Sequence, residues 1–292
     1  MLGIANFAMK GPFQANLAVV LLTALSIIMS PFGLLAGALV ALTTLRVSPQ
    51  EGMKNLIFAA ITLFALNIAI GTGANAALVA LMEFFLPVWV LSLVLRKTNS
   101  LAVTLETAIV MVAGALIVFY LGVESPSQWW LGLFDTYLKP VLEQAQVNYS
   151  AEALEGLAQM MTMLVAVFAL SLWFVIVLIG RWWQGALYYP GQFQLDFHAL
   201  TLSRNSAYAA IVLALGAVFV GQGLVYDLAA LMIAGFMFQG IAIAHHSVKQ
   251  KQASIGWLFG IYVLLFLLPQ TMLILATIGV LDFWIRVRER WS

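Results

Sequence analysis

The chain has 292 residues, of which 63% are hydrophobic and 9% charged, against about 25% charged for a soluble domain, and its mean hydropathy is +1.02. No soluble interior hides that much apolar side chain, so the composition predicts a polytopic integral membrane protein. Thirteen basic and 12 acidic residues leave a net charge of +1, too little to draw in nucleic acid, and the lack of cysteine removes disulfides, thiol catalysis and cysteine metal sites.

The first residues, "MLGIANFAMKGPFQANLAVVLL", carry one Lys and no small-residue cleavage site, and are expected to be a retained span, not a cleaved signal peptide. A helix needs about 20 apolar residues to cross a bilayer core about 30 Å thick. Continuous, non-alternating apolar runs predict helices over 16–29 and 31–45, split at "MSPFG", then over 54–71, 74–95, 100–121, 157–181, 206–222 and 225–247. The last run, 254–286, is split at "LLPQT". The outer loop 122–156 contains "SPSQWWLGLFDTYLKPVLEQ", where Trp129, Trp130, Leu133, Phe134 and Val141 recur at helical spacing around Pro140. This predicts an amphipathic interfacial helix.

Basic residues cluster at Lys10, Arg46 with Lys54, Arg96 with Lys97, Arg181, Arg204, Lys249 with Lys251, and Arg286 with Arg288 and Arg290. The loop 122–156 has five acidic residues against Lys139 alone. The positive-inside rule puts the basic clusters and the C-terminus in the cytoplasm and this loop outside. An even number of crossings between clusters then calls for hairpins turning near Pro31 and Pro269. Their arms, of about 14 to 17 residues, would reach only roughly 21 to 25 Å and need a thinned or protein-shielded surrounding. The expected fold is therefore all-α, a single transmembrane bundle over 1–292 of about eight to ten spans, some of them short and broken at proline.

Phosphate-loop, zinc-helix and nucleophile-elbow signatures are absent, so neither an enzyme nor a cofactor is expected. His198, His245 and His246 show no metal spacing. Charges inside spans carry more information, because a carboxylate at mid-bilayer costs about 2.5 to 3.5 kcal/mol. Glu83 lies near the centre of "ANAALVALMEFFLPVWVLSLVL", and Pro87 deprives its carbonyl of a helical partner. Glu83, Glu106, Asn67, Asn75 and Gln239 form the candidate ligand-binding set, each also readable as helix glue. Gly33 with Gly37, and Gly240 with Ala244, have the small-xxx-small spacing of close helix packing. Asp282 and Arg286 are spaced to pair at i, i+4.

The segment "RWWQGALYYPGQFQLDFHAL" belongs at the cytoplasmic face. Trp182, Trp183, Tyr188 and Tyr189 suit an interface, and Pro190–Gly191 ends the helix so that the chain can fold back. Arg181, Asp196, His198 and Arg204 add the alternative of an ion-paired loop closing an inner mouth.

The stretches "MSPFGLLAGALVALTTLRVSPQEGMKNLIFAAIT", "RWWQGALYYPGQFQLDFHALTLSR" and "IGVLDFWIRVRER" resemble the bacterial DUF2232 membrane proteins, which include the YybS-like group. That resemblance implies a distant similarity to the substrate-binding S components of energy-coupling-factor transporters. It further implies a bacterial inner-membrane bundle that captures a small solute, with a separate coupling subunit and ATPases as partners beside the lipid bilayer. The chain has more spans than the six or so usual in S components, and matches their alanine-rich first helix only through Ala15, Ala18 and Ala24. The alternative is a non-transporting scaffold that recruits a partner through 181–204 and the basic C-terminal tail.

Overall fold

The computed structural model describes residues 2–286 and 288. Among them there is no strand. The helices are α1 (Leu2–Ala8), α2 (Pro12–Ser26), α3 (Pro31–Arg46), α4 (Pro49–Ala69), α5 (Gly73–Phe84), α6 (Leu86–Thr98), α7 (Leu101–Gly122), α8 (Pro126–Leu133), α9 (Lys139–Gln144), α10 (Ala151–Tyr188), α11 (Gln192–His198), α12 (Arg204–Val220), α13 (Leu224–Gln250), α14 (Gly256–Leu267) and α15 (Gln270–Ile285).

Proline punctuates this order. Pro12, Pro31, Pro49 and Pro126 open α2, α3, α4 and α8, at the position where the missing N–H costs nothing. Pro87 breaks the predicted span 74–95 into α5 and α6, with Phe85 at φ −125°, ψ −61°. Without an interior proline, α10 runs for 38 residues, about 57 Å, well beyond the predicted 157–181 at both ends. Five helical segments, 49–69, 73–98, 101–122, 151–188 and 224–250, are long and apolar enough to cross a membrane, and five shorter apolar helices accompany them. Together with side chains such as Phe219 and Phe266, each 88% exposed, these segments mark a membrane protein.

The chain divides into two compact units: Met1–Ala108 with Ser171–Leu202 and Ala242–Lys249, and Ile109–Leu170 with Ser203–Ile241 and the chain from Gln250 on. The first is built around α3, which packs against α2, α4 and α6 and has 11 of its 16 residues buried. This short, Pro-bounded helix is thus shielded by protein along its length. Glycine permits the closest approaches. Gly33 lies on the Phe84 ring and Gly37 under the Phe84 carbonyl, so the small-residue pair receives the α5–α6 break. Gly180 of α10 faces Ala38 and Ala41 of α3 in the same way.

In the second unit, Gly240 of α13 lies against the backbone of Leu275 in α15, Gly279 of α15 against the carbonyl of Phe236, and Gln239 Nε2 donates to the Gly279 carbonyl at 2.8 Å. The loop 122–156 forms α8, a π-helical turn over Phe134–Leu138 and α9. The wider turn comes just before Pro140, whose ring would otherwise meet a carbonyl of the preceding turn. This helix is docked on α10 and does not rest on lipid alone: Phe134 is buried with Leu154 and Ala158, and Trp130 Nε1 donates to Thr162 Oγ1 at 2.8 Å. Trp129 and Trp130 also pack edge-on to each other at 4.8 Å, beside Phe119. Thr162→Val should lower stability in detergent by about 1 kcal/mol, read from thermal unfolding. An unchanged melt would mean that this hydrogen bond does not help hold the loop helix on α10.

At the chain's end Asp282 is met by Arg288 Nη2 at 2.7 Å and Nε at 3.1 Å, where the sequence spacing pointed to Arg286. Arg286 takes a left-handed conformation, φ 50°, ψ 54°, so the chain turns back and carries Arg288 to the carboxylate. Arg290 lies outside the described residues.

Candidate functional site

The polar end of the first unit is assembled around the C-terminus of α3, where the last carbonyls have no helical partner. Arg96, in the last turn of α6, donates through Nη1 to the carbonyls of Thr44 and Leu45 at 2.6 and 3.0 Å. Its Nη2 reaches the Val47 carbonyl at 3.3 Å. A guanidinium at a helix C-terminus also complements the helix dipole. Gln184 Nε2 donates to the Leu45 carbonyl at 3.3 Å, and its Oε1 accepts from Arg181 Nη1 at 2.5 Å. Arg181 then grips Asp196 Oδ2 through Nε at 2.9 Å and Nη2 at 2.6 Å, and Gln192 Nε2 donates to Asp196 Oδ1 at 2.7 Å. Arg46 lies over the Tyr188 ring at 4.1 Å and donates to the Tyr189 hydroxyl at 3.0 Å.

This geometry accounts for the aromatic segment that ends α10. Gly191, at φ +86°, reverses the chain, and α11 folds back so that Phe193 covers Gly185. Trp182 is half-buried. Trp183 is not an interfacial aromatic: it is 0% exposed, with its Nε1 buried and without an acceptor. His198 packs against both His245 and His246, at ring distances of 6.4 and 5.7 Å. Spacing does not reveal this cluster, because His198 lies far along the chain from the adjacent pair His245 and His246. Among the described residues no group of three His, Asp or Glu is placed to hold a metal ion. Arg204 belongs to the other unit and donates from Nε to the Tyr208 hydroxyl at 3.0 Å.

The sequence-chosen ligand residues occupy separate places. Glu83 is half-buried in the last turn of α5, and Glu106 half-buried in α7. Asn67 is buried and engaged locally: Nδ2 donates to the Leu63 carbonyl at 2.9 Å and Oδ1 accepts from the Thr72 hydroxyl at 2.7 Å, which closes the α4–α5 turn. Asn75 is exposed. Gln239, in the second unit, holds the α13–α15 crossing.

A cavity of about 190 Å³ opens beside the α3 C-terminus instead, lined by Ala8, Met9, Gly11, Pro12 and Ala15 from α1–α2 and by Thr43, Val47, Glu51 and Asn55 from α3–α4. Its polarity follows from hydrogen-bond accounting. Thr43 Oγ1 uses its proton on the carbonyls of Leu39 and Val40, so it accepts from Asn55 Nδ2 at 2.9 Å. That fixes the amide orientation and leaves Asn55 Oδ1 buried without a donor, in a residue only 1% exposed. Ser48 caps α4 by accepting from the Glu51 N–H at 3.1 Å, which sets Glu51 on the rim, where one carboxylate oxygen takes Lys54 Nζ at 2.6 Å. The lining thus offers a carboxylate and an amide oxygen, while its side-chain donors are already engaged. Signals for it existed in "SPQEGMKN", but that stretch reads equally as a capping box. Comparison with known proteins finds no matching family model, no matching curated protein and no matching solved structure.

Proposed function

We propose that this chain is a multi-pass protein of the bacterial cytoplasmic membrane, with its basic helix ends inside, that binds a small solute bearing hydrogen-bond donors as part of a transport process. The observation that carries this reading is the cavity with Glu51 on its rim and the unpartnered Asn55 Oδ1 in its wall. A buried acceptor without a donor costs about 1 to 3 kcal/mol, and a ligand ammonium, amide or hydroxyl would recover that. A solute-binding role also accords with the resemblance to DUF2232 proteins and S components. A separate coupling subunit and ATPases would then supply the energy.

The scaffold reading is less well supported, because two of the charged groups of 181–204 that would recruit a partner are engaged with each other within the fold, Arg181 with Asp196, and Asp196 also with Gln192.

The test is thermal unfolding of the purified protein with ammonium, primary amines, polyols and carboxylic acids. At about 100 times the dissociation constant a bound solute adds roughly 2.7 kcal/mol. Amine-bearing compounds should raise the melting temperature, and Glu51→Gln and Asn55→Leu should each weaken the response about tenfold in concentration. Stabilisation by carboxylic acids alone, or a response indifferent to both substitutions, would overturn the assignment.

A further inference from the structure

The second unit contains a different kind of hollow. A groove of about 380 Å³ runs between α12 and α15 over a floor of α13. Its shape follows from two packings of unequal tightness. Gly240 and Gly279 bring α13 and α15 into backbone contact, and Ala210, Ala214, Ala276 and Thr277 keep the walls thin. Ile233, Phe236, Leu273 and Val280 complete a lining that is almost wholly apolar, because the Thr277 hydroxyl is turned onto the Leu273 carbonyl at 2.8 Å. Nothing in this groove can hold a polar solute.

One end is chemically distinct. Trp284, which lines the groove, packs against Tyr208 at 6.2 Å. Arg204 stands over the Tyr208 and Phe283 rings, 5.5 Å from each centroid. Its Nε is bonded to the Tyr208 hydroxyl, no carboxylate pairs with it among the described residues, and the residue is exposed. A Trp, a Tyr and an Arg with no carboxylate partner among the described residues, at the mouth of an apolar trough, match the order of parts in a phospholipid, with headgroup at the interface and chain below. A guanidinium with open N–H groups suits a phosphate diester, and its charge favours a lipid whose phosphate has no ammonium beside it.

We propose that this groove is a specific site for an anionic glycerophospholipid, with one acyl chain lying between α12 and α15 and the phosphate held by Arg204. The inference is independent of the solute cavity, which lies in the other unit.

The test is native mass spectrometry of the protein released from nanodiscs of mixed phosphatidylglycerol and phosphatidylcholine. Wild type should retain phosphatidylglycerol about fivefold over phosphatidylcholine, the factor that one basic residue near the surface supplies. Arg204→Gln should remove the preference while leaving chain binding. Ala214→Phe, which puts a ring into the groove from an exposed position, should reduce retention of both lipids about tenfold. Lys97→Gln, an exposed cation in the other unit, should change nothing. Equal retention of the two lipids by wild type, retention in Ala214→Phe equal to wild type, or an equal loss in Lys97→Gln would each overturn the proposal. Far-ultraviolet circular dichroism and the melting temperature of each variant separate loss of the site from loss of the fold, and the wild-type preference needs no variant.

Discussion

Asp196→Ala should destabilise the protein by about 2 to 3 kcal/mol, measured by thermal or denaturant unfolding in detergent. The carboxylate side chain is 16% exposed and its partner Arg181 12%, so neither charge is freely hydrated. Deleting one partner of a buried pair leaves the other uncompensated, at a cost that reaches 3–5 kcal/mol when burial is complete. Arg181 is also the donor that orients Gln184, whose amide caps the Leu45 carbonyl. The loss therefore spreads from α11 through α10 to the end of α3. Arg181→Leu should cost a similar amount, and the double variant less than the sum of the two, because the orphaned charge is gone. That non-additivity, obtained from the four-protein cycle, distinguishes an ion pair that organises the fold from two separate surface groups. Additive losses below about 0.5 kcal/mol each, the range of an exposed pair, would return the segment 181–204 to a simple interfacial anchor.

What could be read beforehand follows a physical divide. Apolar periodicity and proline are local signals, so the ten helical runs and the breaks near Pro31 and Pro269 were legible, as was the fold-back after Pro190–Gly191. The division at Pro87 was visible as a kink but not as two helices, because its depth depends on Phe84 fitting over Gly33 and Gly37. The ends of α10 lie beyond those its sequence suggests for a related reason. Polar residues such as Glu155 and Arg181 look like boundaries when lipid is taken as the only surrounding, whereas here the helix continues through them and Arg181 finds Asp196. Candidate site residues depend on partners that spacing does not show. Asn67 and Gln239 are conspicuous as amides in apolar runs, yet both meet backbone carbonyls. Asn55 is inconspicuous near a helix start, although its environment, with Thr43 on one side and the α1–α2 turn on the other, leaves an oxygen unsatisfied. Burial without a partner is a property of tertiary placement and leaves no mark in spacing.

The severest local constraint lies at the α13–α15 crossing, and Gly240→Val should abolish it. A Cβ at Gly240 would be driven into the Leu275 carbonyl oxygen, and one at Gly279 into that of Phe236. Both obstructions are backbone, so rotamer change offers no relief and the helices must separate. Separation breaks the hydrogen bond from Gln239 Nε2 to the Gly279 carbonyl, and the loss of a buried bond there adds about 1 to 3 kcal/mol to the overpacking cost of about 1 to 3 kcal/mol. A loss of roughly 2 to 6 kcal/mol takes a large part of the stability of an ordinary domain, so Gly240→Val should be recovered from membranes in low yield with an early, broad melt. Gly114→Val is the control, since a Cβ there meets nothing within 4 Å. It should insert and melt like wild type, which separates packing at the crossing from the general effect of replacing glycine in a membrane helix. If the two variants behave alike, the close approach of α13 and α15 is not what holds the second unit together.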